Sequence, residues 1–212
     1  MNITDYKNTF ESEFIEKIPG LLEKGTAKKD VIGKAYENFR IKIPNIINKN
    51  LITIPKESHK KFLEQIGIDP SFTVDQIITN KNGRILAIEE DKGHYLDKCF
   101  LDRGFYGAIK SIRRMRKSGL TAEQIPYFLI CCPTKYSKYD QEFEELLGIG
   151  SDMKAVDPEL EAIFLQKIIY FPMCEHDRVA KKQYNKIYDG SNPFALNEEL
   201  IQSEIDWFSN LA

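Results

Sequence analysis

The sequence predicts a mixed α/β fold, a central mixed β-sheet flanked by helices. Three observations lead there: helical periodicity fills the first third of the chain, two β-rich runs meet across Asn82-Gly83, and an amphipathic helix precedes the apolar run YFLICC. A single domain over residues 1–212 is expected, with a helical part to about residue 66 and a sheet core over about 67–175. The hydrophobic share of 42% and charged share of 29% suit one folded core rather than a disordered or fibrous chain. No run approaches the roughly 18 to 20 apolar residues of a membrane span, and the polar start MNITDYKNTF lacks a secretory hydrophobic region. A cytoplasmic protein without membrane partners is therefore expected.

Taken in order, Phe10, Phe14, Ile15 and Ile18 recur at helical spacing, and Asp30 is positioned to cap a helix through VIGKAYENFR. Pro44 and Pro55 are expected to punctuate this part. Ser58 to Ile66 forms another short helix, which Gly67, Asp69 and Pro70 end. Thr73 to Asn80 and Arg84 to Asp91 then read as an antiparallel pair joined at Asn82-Gly83, a strong hairpin signal. Leu101 to Lys117 reads as a helix stopped by Ser118-Gly119, and Tyr127 to Cys132 as a strand buried on both faces. Pro172 assigns Lys167 to Met173 to a sheet edge, and Glu198 to Leu211 closes the chain as an amphipathic helix with Ile201, Ile205 and Phe208 on one side.

Several chemistries find no pattern here. Cys99, Cys131, Cys132 and Cys174 lack CxxC spacing, which points to reduced, buried thiols, and His59, His94 and His176 form no zinc-binding motif. There is no nucleophilic triad, glycine-rich phosphate loop or dinucleotide fingerprint. Thirty basic against thirty-two acidic residues give a net charge of -2, so any polyanion site must be a local patch.

The acidic end of the hairpin is the strongest chemical signal. After Ile88 the second strand delivers Glu89, Glu90, Asp91 and Lys92, a run that repels itself unless water or a cation offsets it. Asp75 interrupts the apolar pattern of the facing strand. If Asn82-Gly83 is a two-residue loop, paired positions sum to about 165, so Asp75 lies opposite Glu90 and shares a face with Glu90 and Lys92. A three-residue turn instead makes the sum about 164 and brings Glu89 and Asp91 opposite Asp75 and Thr73. In the first register, two carboxylates can hold a hard cation such as Mg²⁺, with Mn²⁺ as a substitute, and a lysine can orient water and steady negative charge. That set of groups suits phosphodiester hydrolysis.

Asp75, the hairpin, and the E-x-K of Glu90, Asp91 and Lys92 resemble the PD-(D/E)XK nuclease superfamily, and the size and order of elements resemble its type II restriction endonucleases. The resemblance covers roughly residues 33–132 and departs from the family pattern at Val74, where proline is usual, and at the acids Glu89 and Asp91. It implies a restriction-endonuclease-like fold and a Mg²⁺-dependent enzyme cutting double-stranded DNA at a specific sequence, commonly as a homodimer. Asp75, Glu90 and Lys92 take catalytic roles in that reading, Glu37 adds an acid from the preceding helix or only pairs with Lys34 or Arg40 on that helix, and Asp75, Glu90 and Asp91 are the metal-ligand candidates. The competing readings are a non-catalytic DNA-binding protein that keeps the fold, and a nuclease acting on RNA or branched DNA.

Helix Leu101 to Lys117 supplies the local basic patch. Phe105, Ala108, Ile109, Ile112 and Met115 form its apolar stripe, while Arg103, Lys110, Arg114 and Lys117 share another face suited to backbone phosphates. Lys110, Arg114 and Lys117 are accordingly the DNA-binding candidates. His94 can touch a phosphate or only cap the strand, and Lys135, Lys138, Lys181 and Lys182 are further DNA-contact candidates without a specific signal. A homodimer is expected from the symmetry of a duplex substrate, with Ile201, Ile205, Phe208 and Trp207 offering an apolar surface.

Overall fold

The chain order of helices and strands builds one five-stranded mixed sheet with helices on both faces. The computed structural model describes residues 1–68, 74–93, 98–135, 158–175 and 185–211, and for 98–106 and 158 the backbone alone. Thr73, His94, Lys138, His176, Lys181 and Lys182 lie outside the described residues, as do the side chains of Cys99, Arg103 and Phe105.

Helix α1 (Ile3–Phe10) starts at a capping box in which Asn2 and Asp5 each accept a backbone N–H from the other. A π-helical turn (Glu11–Ile15) leads into α2 (Lys17–Glu23), and α3 follows (Val31–Ile47). Val31, Ile32, Ala35, Tyr36, Phe39 and Ile43 bury one face of α3, spaced as a helix requires. Pro44 does not interrupt it as expected: it packs in the buried face, and its carbonyl accepts from Asn48 to complete the last turn. Asp30 sits at the N-cap without a capping hydrogen bond.

The helical first part also contributes a strand. β1 (Leu51–Ile54) was hidden from periodicity by its length of four residues, and it forms a sheet edge against β2 (Gln76–Asn80). A 3-10 turn (Lys56–Ser58) and α4 (His59–Gln65) connect the two. β2 runs antiparallel to β3 (Ile85–Asp91); α5 (Lys98–Lys117) then crosses to β4 (Tyr127–Cys132), which lies parallel to β3. α6 (Pro158–Lys167) leads into β5 (Ile168–Pro172), parallel to β4 and on the edge as Pro172 dictates. α7 (Glu198–Asn210) closes the described fold. α5 ends where expected, with Gly119 at φ 89° and the Leu120 N–H returning to the Met115 carbonyl.

Strand alternation divides the core. Ile78, Leu86, Ala87, Leu129, Cys131 and Phe171 face α1, α2, α3 and α7; Ile77, Ile85, Ile88, Phe128, Ile130 and Ile168 face α4, α5 and α6. On the first face, edge-to-face aromatic contacts link Tyr6, Phe10, Phe14 and Phe39 at 5.1 to 5.7 Å between ring centres. The apolar residues of α7 are spent on this core: Ile201, Ile205 and Phe208 are buried, and Trp207 meets Tyr127, Phe171 and Phe208 edge-on. They do not form the free dimer surface that the sequence suggested. Cys131, Cys132 and Cys174 are free thiols in the interior. Among the described residues, no helix is long and apolar enough to cross a membrane.

Candidate active site

The hairpin turn is not the expected two-residue loop. Asn80 pairs with Arg84 across the three residues Lys81, Asn82 and Gly83; Gly83 takes φ 78°, and the Asn80 side chain accepts the N–H groups of Asn82 and Arg84. Alone, this loop would impose the register opposing Asp75 to Glu89. A β-bulge intervenes: Thr79 pairs with Ile85 and Ile78 with Ala87, leaving Leu86 as the extra residue. Leu86 and Ala87 consequently face the same core. Beyond the bulge Ile77 pairs with Ile88 and Gln76 with Glu89, so the register continues to Asp75 opposite Glu90. The loop adds one residue and the bulge cancels it.

That register sorts the acids by face. Glu90 and Lys92 point toward the α4 and α5 side, with side chains 29% and 33% exposed and Lys92 Nζ 3.2 Å from Glu90 Oε1. Asp75 joins them at the sheet end, its Oδ2 accepting the Asp91 N–H at 2.8 Å. Glu37, from α3, arrives through a residue that sequence reasoning missed: Lys56 Nζ lies 2.9 Å from Glu37 Oε2 and 3.5 Å from Asp75 Oδ1. Burial opposes the charge of Lys56, but the hydrogen bond and charge of Glu37, followed by Asp75, hold its ammonium above the usual lysine range. Burial, then the charge of Asp75, pushes the Glu90 carboxyl up to about 7 despite Lys92 beside it. Three carboxylates and two ammonium groups thus meet at the carboxyl end of a parallel strand pair, a usual location for ligands in α/β sheets.

Two backbone contacts fix the cluster. The Lys92 N–H donates to the Cys131 carbonyl at 2.8 Å, tying the end of β3 to β4. At Gly93 the chain passes so close to α3 that a Cβ would stand 2.8 Å from the Ile32 carbonyl oxygen and 2.9 Å from Tyr36 Cβ. Glycine there sets the spacing between the β3 end and the helix carrying Glu37.

Asp91, a metal-ligand candidate, does not bring its carboxylate to Asp75 and Glu90. It turns to the opposite face with Glu89 and Gln76, where all three are buried. Arg40, itself fully buried, donates to Glu89 Oε1 at 2.7 Å, to Cys131 Sγ at 3.1 Å and to Glu204, and has Asp91 Oδ1 at 3.7 Å. Gln76 donates to Asp91 Oδ2 at 2.6 Å, and Tyr6 to Glu204 Oε2 at 2.6 Å. Donor atoms of Glu89, Asp91 and Cys131 lie within 4.8 Å of one another and could hold a metal ion. The Arg40 guanidinium is seated among them, however, and one cation faces three carboxylates. Burial, then the charge of Glu89, raises the Asp91 carboxyl well above its usual range, and burial raises Glu204 despite Arg40, so burial works against full ionisation of this interior cluster.

The basic helix has the expected faces but lies away from the carboxylates. Lys110, Arg114 and Lys117 are exposed, and Ala108, Ile109, Ile112 and Met115 bury the other face as expected. Because β3 and β4 are parallel, α5 must run back along the sheet, and these three cations lie in its second half, roughly 18 to 28 Å of helix beyond Lys98. They therefore sit toward the sheet end remote from the carboxylates. Arg116 is engaged locally, with Glu159 and the Leu120 carbonyl. Lys135 pairs with Glu175. In comparisons with known proteins, no family model, curated protein or solved structure matches the chain.

Proposed function

We propose that this chain is a divalent-metal-dependent phosphodiesterase that cuts double-stranded DNA in the manner of a type II restriction endonuclease, with Asp75, Glu90, Lys92 and Glu37 at its centre. The observation that carries the reading is the convergence of three carboxylates on a partly open rim where Glu90 is driven to hold a proton. Such a group gains from exchanging that proton for a hard cation. Asp75 and Glu90 would hold the cation and Glu37 would add an acid at its edge, an all-oxygen donor set that suits Mg²⁺ or Mn²⁺. When bound, the cation supplies electrostatic activation of a phosphoryl oxygen and of a water. Lys92, paired with Glu90 at 3.2 Å, is within reach to orient the attacking water and to steady charge that develops on the phosphate. Asp75 keeps one oxygen on the Asp91 N–H, which fixes the direction of the other.

A homodimer belongs to this reading through the symmetry of a duplex, since one centre of this kind has chemistry for one strand. The test is digestion of mixed plasmid and genomic DNA by purified protein with Mg²⁺, alongside Lys92→Ala and Glu90→Gln. Discrete bands that vanish in both variants support a restriction enzyme, and a smear that vanishes in both supports a nonspecific nuclease. Binding without cleavage by the wild type favours a non-catalytic DNA-binding protein. Cleavage confined to RNA or branched DNA moves the substrate class, and unchanged cleavage by Lys92→Ala overturns the assignment of residues.

A further inference from the structure

A second constellation lies at the opposite end of the sheet, around the starts of β3 and β4. There a cavity of about 410 Å³ is lined by Arg84, Leu86, Glu123, Tyr127, Lys167 and Asn210 among others. Lys167 is 5% exposed, and its ammonium stands 4.2 Å from the centre of the Tyr127 ring. Among the described residues it makes no hydrogen bond or ion pair. As the last residue of α6 it gains from the helix dipole, yet no carbonyl of that turn accepts from it. Its Nζ is not sealed from solvent, so the three donors of the ammonium open into the cavity, where water or a ligand accepts them. A ring face attracts the charge without accepting those hydrogen bonds conventionally.

A second cation faces the same space. Arg84 borders the same cavity and donates one Nη2 hydrogen bond to the Glu123 carbonyl at 2.7 Å. Burial, then the charge of Arg84, holds the Lys167 ammonium below the usual lysine range, and the nearby Glu123 carboxylate, on an exposed residue, works against this. Two cations therefore share one cavity with one solvated acid as counterweight.

We propose that this cavity is a binding site for a phosphate group, free or carried on a small molecule of up to mononucleotide size, with Lys167 and Arg84 as its charged contacts. A phosphate offers several oxygens and a double negative charge, matching a point-charge ammonium and a forked guanidinium together, whereas a monocarboxylate would offset one of them. The volume lies within the range of small-molecule pockets. The strand length separates this site from Asp75 and Glu90 by roughly 20 Å, so the inference stands apart from the proposed nuclease centre.

The test uses the whole chain with a chelator present, so that divalent cations do not contribute. Sodium phosphate, a nucleoside 5′-monophosphate and succinate are titrated separately, with calorimetry and thermal melting as readouts. Saturable binding of either phosphate probe is expected, weakened about tenfold or more by Lys167→Met and by Arg84→Gln, and unchanged by Glu90→Gln. Tighter binding of the nucleotide assigns the site to a phosphate ester, and tighter binding of phosphate to the free ion. Equal binding of succinate, equal binding by the cavity variants, or no saturable response to either phosphate probe overturns the proposal. Should Lys167→Met fail to fold, amine acetylation of the wild type followed by mass spectrometry decides: phosphate should slow labelling of Lys167 and leave Lys110 unaffected, and undiminished labelling of Lys167 refutes the site.

Discussion

At the scale of single residues, Glu90 and Lys56 make opposite predictions. Glu90 binds its proton more tightly in the folded chain, with its carboxyl at about 7 against an ordinary value near 4.5. The folded state thus holds more protons between those values, and stability falls as pH rises through that window, then levels off. Glu90→Gln removes the slope and should stabilise the metal-free protein above pH 7 by about 1 to 3 kcal/mol, with little effect at pH 4.5, measured by urea denaturation. For the same reason Mg²⁺ should raise the melting temperature more at pH 8 than at pH 5.5. Lys56 already neutralises Glu37 and Asp75, so Lys56→Met should tighten Mn²⁺ binding about five- to tenfold by calorimetry. Weaker binding in that variant would mean that Lys56 positions the carboxylates rather than competing for them. The acids were legible because they break the alternation of a β-rich run. Lys56 was not, since a lysine after a proline on a one-turn helix has no spacing that links it to Asp75, nineteen residues on in sequence.

Elements explain why the site depends on a residue with no side chain. Gly93 lets the end of β3 graze α3, and any Cβ there would meet backbone at Ile32. Gly93→Ala should shift Glu37 relative to Glu90 and reduce cleavage by two or more orders of magnitude, as expected for ångström-scale displacement of a positioned group. The check is turnover in a variant whose circular dichroism and melting remain near those of wild type. α5 yields a weaker expectation than its charge pattern suggested. Neutralising Lys110, Arg114 and Lys117 should flatten the salt dependence of duplex binding by roughly 0.9 in log-log slope for each phosphate left without its cation. Only a duplex long enough to run from the carboxylates along α5 should show the effect, so comparing short and long duplexes tests the geometry. The helix, its stop and its buried stripe were readable from periodicity, but its direction relative to the site was not. That follows from β3 and β4 being parallel, a pairing of residues far apart in sequence.

On the scale of the molecule, the two faces of β3 divide their labour. One carries the rim of Asp75, Glu90 and Lys92; the other sinks Glu89 and Asp91 into an ionic core that joins α1, α3, β3, β4 and α7 through Arg40. Arg40→Leu would leave buried carboxylates without their cation and should cost about 3 to 5 kcal/mol, a large part of typical domain stability. Chemical denaturation checks this, and Glu90→Gln serves as the contrast on the opposite face. Mixed α/β architecture, the hairpin, β4 and α7 followed from sequence patterning. The Arg40 core did not, because its partners lie as far apart as Tyr6 and Glu204, and a buried arginine on a helix looks in sequence like any solvated one. The same distance hid the fate of Trp207, which reads as an exposed anchor until Tyr127 and Phe171 are brought beside it.

The bulge at Leu86 has a genetic consequence. Because pairing is reset there, codons gained or lost within Lys81–Gly83 alter the turn while the pairing below the bulge can persist, so this segment should accept insertions and deletions in a library screened for activity. One codon added between Ala87 and Glu89 falls on the other side of that reset. It would send Glu90 and Lys92 toward Arg40 and bring Glu89 and Asp91 to the rim, exchanging the inside and outside of the strand. The hairpin thus has a tolerant half and an intolerant half, and their border lies at one leucine.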